Sequence, residues 1–181
     1  MRRLGSVMIV LAAFATVCPS LQAFADAQRT IANPVAPDGH DPWVIRAEGV
    51  YHYCYSHRGA VWVNTAARIE DAVQFEGRPV WRPAPGMPYS RELWAPELHR
   101  LDGRWYIYVA ADDGKNENHR MYVLQAETDD PAGDYTIRGK IADPSDKWAI
   151  DGTVLQHDGR LYFIWSGWEG DTNVAQNLYI A

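Results

Sequence analysis

The sequence predicts an all-β fold of the β-propeller type, with only about two and a half to three blades in this chain. Three stretches repeat one pattern: a short apolar run, an acidic residue followed by glycine, and a second run rich in aromatic residues. This order is typical of a β-hairpin with a tight turn. The turn glycines are Gly49, Gly103 and Gly159, at spacings of 54 and 56 residues. A period of about fifty residues with several strands per repeat indicates propeller blades around a central channel.

The first repeat supplies four predicted strands. They cover residues 41–46, 50–56 and 60–64, with a short fourth strand at 80–81. Residues 65–73 show some helical spacing but no sustained apolar stripe, so we expect a loop with at most one or two turns of helix. The proline-rich run 82–88 cannot hold a strand ladder and marks the passage to the next blade.

The second repeat has the same length, and the third is shorter. Predicted strands lie in a hairpin within 93–110 and at 120–127, 135–140, 152–156, 160–167 and 177–181. The third repeat thus has no outer strand, whereas propellers have four to eight blades of four strands. Because unpaired strand edges promote aggregation, we expect either a fragment or a structure that a partner closes.

The first 25 residues have the pattern of a secretory signal peptide. Arg2 and Arg3 precede an apolar core at 7–17, and a small-x-small site at 23–25 precedes Asp26. The apolar core is short for a membrane span, so we expect a secreted or periplasmic domain of residues 26–181, with a retained anchor as the alternative. The residue before Cys18 is not small, so lipidation is not expected.

Composition excludes several classes of function. The chain has 17 basic and 23 acidic residues, which gives no basic face for nucleic acid. Only Cys54 remains after the predicted cleavage, so an intrachain disulfide is excluded. The sequence lacks zinc-type histidine and cysteine spacing, an EF-hand loop and a phosphate loop. We therefore predict no metal site and no cofactor within this chain, and no membrane span.

Acidic residues recur at matched positions in the repeats. Counting back eight residues from each turn glycine gives Asp41, Ala95 and Asp151, and Glu97 lies on the same strand face as Ala95. If the first strand of each blade lines the channel, these carboxylates converge near its axis. Paired carboxylates across a cleft are typical of glycoside hydrolysis. A lone aspartate at a strand start is more often a turn residue, but the matched register favours a site.

Tryptophans flank these acids and offer flat apolar faces to a sugar ring. They are Trp43, Trp94, Trp148, Trp165 and Trp168. Most of them also fit the blade core, which is the alternative interpretation. We take Trp94 and Trp168 as candidate stacking residues, and His40 and Glu97 as candidate contacts to sugar hydroxyls, with structural hydrogen bonding as the alternative for both.

Three motifs together resemble glycoside hydrolase family 43. They are Gly39-His40-Asp41-Pro42-Trp43-Val44, Trp94-Ala95-Pro96-Glu97-Leu98-His99 and Ala149-Ile150-Asp151-Gly152-Thr153. The resemblance implies a five-bladed propeller that cleaves arabinosyl or xylosyl bonds. Segments 111–122 and 165–171 look most like those of exo-acting α-L-arabinofuranosidases.

The resemblance also implies roles for the carboxylates in an inverting reaction. Asp41 matches the general base that activates water, and Asp151 matches the residue that modulates the pKa of the acid and orients it. The general acid of the family is a glutamate in a Glu-Gly-Pro segment, and this sequence has no such segment. Glu169 is followed by Gly170 and Asp171, so we do not assign it this role. Members can carry a channel metal such as calcium, whose ligand is expected on a blade that this chain lacks.

The sequence therefore predicts hydrolysis of O-glycosidic bonds in arabinose-containing material, with this chain inactive by itself. The implied substrates are arabinan, arabinoxylan and arabinooligosaccharides. Two alternatives remain at this point: a β-xylosidase on the same scaffold, and a non-catalytic propeller that only binds sugar.

Overall fold

The computed structural model of the chain describes residues 31–36, 39–74 and 76–181. The predicted signal peptide lies outside these residues. The described part is all-β, with eleven strands in three antiparallel sheets and a single six-residue α-helix. In the same residues there is no helix long and apolar enough to span a membrane. The predicted fold class is confirmed.

The first sheet is a four-stranded meander. Its strands are β1 (Trp43–Ala47), β2 (Val50–His57), β3 (Ala60–Ala66) and β4 (Arg78–Trp81). They lie in the order β1-β2-β3-β4. Helix α1 (Ile69–Gln74) connects β3 to β4, and it is the one or two turns of helix that the sequence allowed here.

The second sheet repeats this meander, and the third has three strands. The second contains β5 (Arg91–Leu101), β6 (Arg104–Asp112), β7 (Arg120–Ala126) and β8 (Tyr135–Ile141) in that order. The third contains β9 (Ala149–His157), β10 (Arg160–Trp168) and β11 (Gln176–Ile180) in the order β11-β10-β9. As predicted, the described residues of the third repeat include no fourth strand.

Tight turns with left-handed backbone join the first two strands of every sheet. The central residues have φ of 51° and 85° at Glu48-Gly49, 47° and 78° at Asp102-Gly103, and 47° and 72° at Asp158-Gly159. Positive φ at both positions defines the type I′ turn, whose twist matches that of the flanking strands. Glycine at the second position therefore fixes the length and the register of each hairpin.

The second sheet is buried on both faces, and side-chain alternation along β6 shows how. Trp105, Ile107 and Val109 belong to the cluster shared with the first sheet. Tyr108 and Ala110 belong to the cluster shared with the third sheet. Successive side chains point to opposite faces of a strand, so one apolar strand serves two cores. This packing places β5 against β1 and β2, and β9 against β5, β6 and β7.

Gly77 marks a close approach of two backbones at the edge of the first sheet. A Cβ atom at this position would lie 2.4 Å from the carbonyl oxygen of Val63 and 2.8 Å from the backbone nitrogen of Asn64. Backbone atoms of β3 cannot move away without disturbing the β3–β4 ladder. Only glycine fits here.

We therefore expect Gly77→Ala to lower the free energy of unfolding by about 1–3 kcal/mol, the usual cost of overpacking. Gly170→Ala is the matched control, because nothing lies within 4 Å of a Cβ at that position. Urea unfolding followed by tryptophan fluorescence measures both changes. Equal midpoints for the two variants would contradict the close approach.

Candidate active site

The three matched positions share an unusual backbone conformation. Asp41, Ala95 and Asp151 have φ of 47°, 42° and 51°, which is the left-handed region. Non-glycine residues seldom adopt it, although Asp and Asn tolerate it better than most. The three positions, which were matched by counting from the turn glycines, therefore also share their local backbone geometry. Each lies in or just before the first strand of its sheet. A shared kink of this kind is typical of functional sites.

The middle repeat is the most irregular of the three. The β5–β6 pairing shifts register between Arg91 and Trp94, and again between Trp94 and Glu97. Such bulges redirect side chains and are frequent beside active sites. The two irregular stretches lie on either side of Trp94, and the second ends at Glu97; both of these predicted site residues are themselves paired with β6.

Asp41 and Glu97 each lie within electrostatic reach of Asp151. Burial raises the pKa of Asp151 above its ordinary value, and the negative charges of Asp41 and Glu97 raise it further. The Asp151 side chain still reaches solvent, so the surrounding protein removes only part of its water. Asp41 and Glu97 thus both act on Asp151 electrostatically, and their predicted roles in catalysis stay predictions.

Gly152 allows the chain beside Asp151 to pack closely. A Cβ atom at Gly152 would lie 2.3 Å from Cζ of Phe163 and 2.7 Å from Cε of Met121. The absence of a side chain at this position lets β9 press against the second sheet, which carries Met121 on β7. Asp151 is held close to the other two acids for this reason.

Glu97 is fixed by a histidine that the sequence did not single out. Its Oε2 lies 2.9 Å from Nε2 of His99, and the His99 ring lies 4.8 Å from the ring of Trp43. Trp43 in turn donates from Nε1 to the carbonyl oxygen of Leu98 at 2.7 Å. The available signal was the i, i+2 spacing of Glu97 and His99, which places both side chains on one strand face. A structural hydrogen bond for Glu97 is therefore present, and its predicted contact with sugar stays a prediction.

His40, Asp41 and Trp94 line one cavity of about 360 Å³, together with Ser56 and the Ala95-Pro96 segment. His40 and Ser56 also line a second cavity of about 410 Å³, whose wall includes Tyr53, Tyr55 and His57. The two cavities are therefore neighbours, with His40 and Ser56 in the wall of both. Their aromatic and polar lining is typical of a site for a polar ligand with apolar faces.

Trp168 lies elsewhere. It stacks on Trp148 with ring centroids 4.7 Å apart and is only 6% exposed. Both rings line a separate cavity of about 220 Å³ with Trp165, Phe163 and Tyr179. The structure does not place Trp168 in the cavity of Asp41, and its predicted stacking with sugar stays a prediction.

No three His, Cys, Asp or Glu side chains in the described ranges are grouped so that they could hold a metal ion. The channel metal that the family resemblance implies therefore finds no donor set in this part of the chain. No chemical step is assigned to it.

Comparisons with known proteins show the family of this chain. The profile described as "Glycosyl hydrolases family 43" matches residues 31–181. An extracellular exo-α-(1→5)-L-arabinofuranosidase of Streptomyces avermitilis is 28% identical over 181 residues, which cover 95% of this chain and 38% of the relative. α-L-Arabinofuranosidase 43 of Humicola insolens is 27% identical over 177 residues, which cover 95% of this chain and 36% of that protein.

Solved structures show the same fold. An α-L-arabinofuranosidase from Lactobacillus brevis superposes with a TM-score of 0.75 at 31% identity, covering 82% of this chain and 50% of that one. An endo-arabinase from Bacteroides thetaiotaomicron superposes with a TM-score of 0.65 at 16% identity, covering 78% and 49%. The chain thus spans about half the length of these structures and less of the curated relatives. Since the family profile matches nearly all the described residues, the chain belongs to glycosyl hydrolase family 43.

Proposed function

We propose that this chain carries the water-activating side of the active site of an inverting, exo-acting α-L-arabinofuranosidase. The observation that carries the proposal is the convergence of Asp41, Glu97 and Asp151 beside the cavity that His40 and Trp94 line. Relatives named as exo-arabinofuranosidases support arabinose as the sugar. The proposed substrates are arabinan, arabinoxylan and arabinooligosaccharides.

Asp41 acts as the general base in this proposal. Its carboxylate takes a proton from a water molecule, and the water oxygen forms a bond to the anomeric carbon as the glycosidic bond breaks on the opposite face. The electron pair of that bond goes to the leaving oxygen, which then needs a proton. Trp94 contacts the sugar face and His40 its hydroxyls.

Asp151 acts on the proton donor. A carboxylate near a second carboxyl group disfavours ionisation of that group, so the negative charge of Asp151 keeps a neighbouring acid protonated. The family supplies this acid from a Glu-Gly-Pro segment, which is absent from the 181 residues. A propeller that binds arabinooligosaccharides without cleaving them is the alternative that a binding and cleavage assay separates from this proposal.

We also propose that the protein is exported. The basic, apolar and small-residue order of residues 1–25 supports a signal peptide. Two relatives carry the word extracellular in their names.

One prediction about activity compares two leaving groups. Without its proton donor, the chain should hydrolyse α-1,5-arabinobiose about 10²–10⁴-fold more slowly than a complete arabinofuranosidase, the usual worth of general acid catalysis. Hydrolysis of 2,4-dinitrophenyl α-L-arabinofuranoside should be slowed much less, because its leaving group departs without protonation. Initial rates on both substrates measure the difference.

Asp41→Asn should abolish the residual cleavage of the dinitrophenyl substrate. Asp102→Asn is the matched control, since Asp102 also has left-handed backbone but lies in a hairpin turn. Cleavage of arabinobiose at the rate of a complete enzyme would contradict the prediction that the chain lacks a proton donor. Binding of arabinooligosaccharides with no cleavage of either substrate would favour the binding module.

Another prediction concerns the charge of Asp151. Because its pKa is raised in the folded protein, its ionised form costs stability at pH values above that pKa. Asp151→Asn should therefore raise the melting temperature at pH 7, and the gain should vanish as the pH falls below the ordinary value of 3.8. Melting temperatures measured from pH 7 to below the ordinary pKa test the sign of this change.

Asparagine keeps the size of the side chain and tolerates the left-handed backbone, so the variant isolates the charge. Asp102→Asn again serves as the control and should leave the melting temperature unchanged at both pH values. A lower melting temperature of Asp151→Asn at pH 7 would show that the three carboxylates do not repel one another.

A further inference from the structure

Two titratable side chains are buried together behind Trp94, and the proposed reaction uses neither. His119 and Asp112 are both fully buried, with Nδ1 of His119 lying 3.1 Å from Oδ2 of Asp112. Asp112 is the last residue of β6, and His119 directly precedes β7. The other carboxylate oxygen of Asp112 accepts a hydrogen bond from the backbone nitrogen of Gly114 at 2.8 Å.

The ring nitrogens of His119 face only acceptors among the described residues. Nε2 lies 3.1 Å from the carbonyl oxygen of Glu92, and Nδ1 lies 3.3 Å from that of Asn116. With Asp112 ionised, none of these oxygens can donate, so each ring nitrogen is satisfied only if it carries a hydrogen. This geometry fits the doubly protonated, cationic ring.

Asp112 supplies the compensating charge. Its Oδ2 is buried and has no hydrogen-bond partner in the part of the chain that the structure describes. The His119 ring 3.1 Å away is the cation that offsets it. The guanidinium of neighbouring Arg120 donates to the backbone carbonyl of His119 and pairs with Asp146. A buried charge without a partner is strongly unfavourable, so the two groups depend on each other.

The face of the His119 ring lies against Trp94. The ring centroids are 4.0 Å apart and the planes are inclined by 30°. A cationic ring over an indole face is an attractive arrangement. Trp94 is half-buried and also lines the cavity of Asp41 and His40.

His119 also holds the irregular backbone that leads to Trp94. The segment from Arg91 to Glu97 departs from regular pairing with β6, and Glu92 has φ of 44°. The Nε2 hydrogen bond of His119 fixes the Glu92 carbonyl, while Nε1 of Trp94 donates to Oε2 of Glu92 at 3.3 Å. The His119 side chain thus supplies a hydrogen bond where regular backbone pairing between β5 and β6 is interrupted.

We propose that His119 and Asp112 are positioning residues, which form a buried ion pair that sets the Trp94 indole against the sugar cavity. The proposal rests on the proposed function in taking Trp94 as a sugar contact. The pair acts through Trp94 and not on the reacting atoms. The structure supports this role by the stacking of one ring on the other and by the shared contact with Glu92.

The first experiment needs no sugar. With 5-fluorotryptophan incorporated, the ¹⁹F signal of Trp94 is assigned from its loss in Trp94→Phe. Asp112→Asn keeps the size of the side chain and an acceptor for Gly114 but removes the charge. It should shift the Trp94 signal, and ¹H–¹⁵N spectra of the imidazole should change from two N–H groups in the unmodified chain to one.

Asp113→Asn is the matched control. This neighbouring aspartate bonds Asn118 in the exposed loop and has no contact with His119. It should leave both spectra unchanged. A single imidazole N–H in the unmodified chain, or an unmoved Trp94 signal in Asp112→Asn, would overturn the proposal.

The second experiment measures binding of arabinotriose by calorimetry. Asp112→Asn should weaken binding by about tenfold, because a Trp94 ring that is out of place contributes little to binding. Asp113→Asn should bind as the unmodified chain does. Equal dissociation constants for the two variants would overturn the positioning role. If the unmodified chain binds no arabinotriose, the proposed function fails, and the two spectra alone then support or overturn the ion pair.

Discussion

The site depends on one packing constraint: the second sheet must bury both of its faces. Alternate residues of β6 serve two cores, with Ile107 and Val109 on one side and Tyr108 and Ala110 on the other. Sheets stacked in this way bring their first strands together, and the matched aspartates lie at or just before two of those strands. Burial of apolar surface, at roughly 25 cal/mol per Å², thus offsets the cost of holding the Asp151 carboxylate partly buried and beside Asp41 and Glu97, which raises its pKa.

Much of the fold followed from local signals. An acidic residue with glycine fixes a type I′ turn, so the hairpins and the positions of Asp41 and Asp151 could be counted from Gly49 and Gly159. The clustering of those carboxylates required only that equivalent strands be adjacent. The three strands described in the third sheet were also expected, because its sequence contains three strand-like runs separated by turn residues.

The rest of the site could not be predicted because its contacts join distant parts of the chain. His119 contacts the Glu92 carbonyl across 27 residues, and the bulges of β5 that make this contact have no local sequence signature. Trp168 shows a second limit. Its spacing fits both a sugar platform and a blade core, and the stacking of its ring on Trp148 could not be read from that spacing.

The left-handed backbone at Asp41 and Asp151 also restricts how this site can evolve. Asparagine and glycine are the residues that share such a conformation at least cost, so they are the substitutions that drift would most readily fix there. Either one removes the carboxylate and keeps the kink, the strands and the cavities. A single such substitution would therefore remove the carboxylate that the proposed reaction needs and leave a protein that still folds.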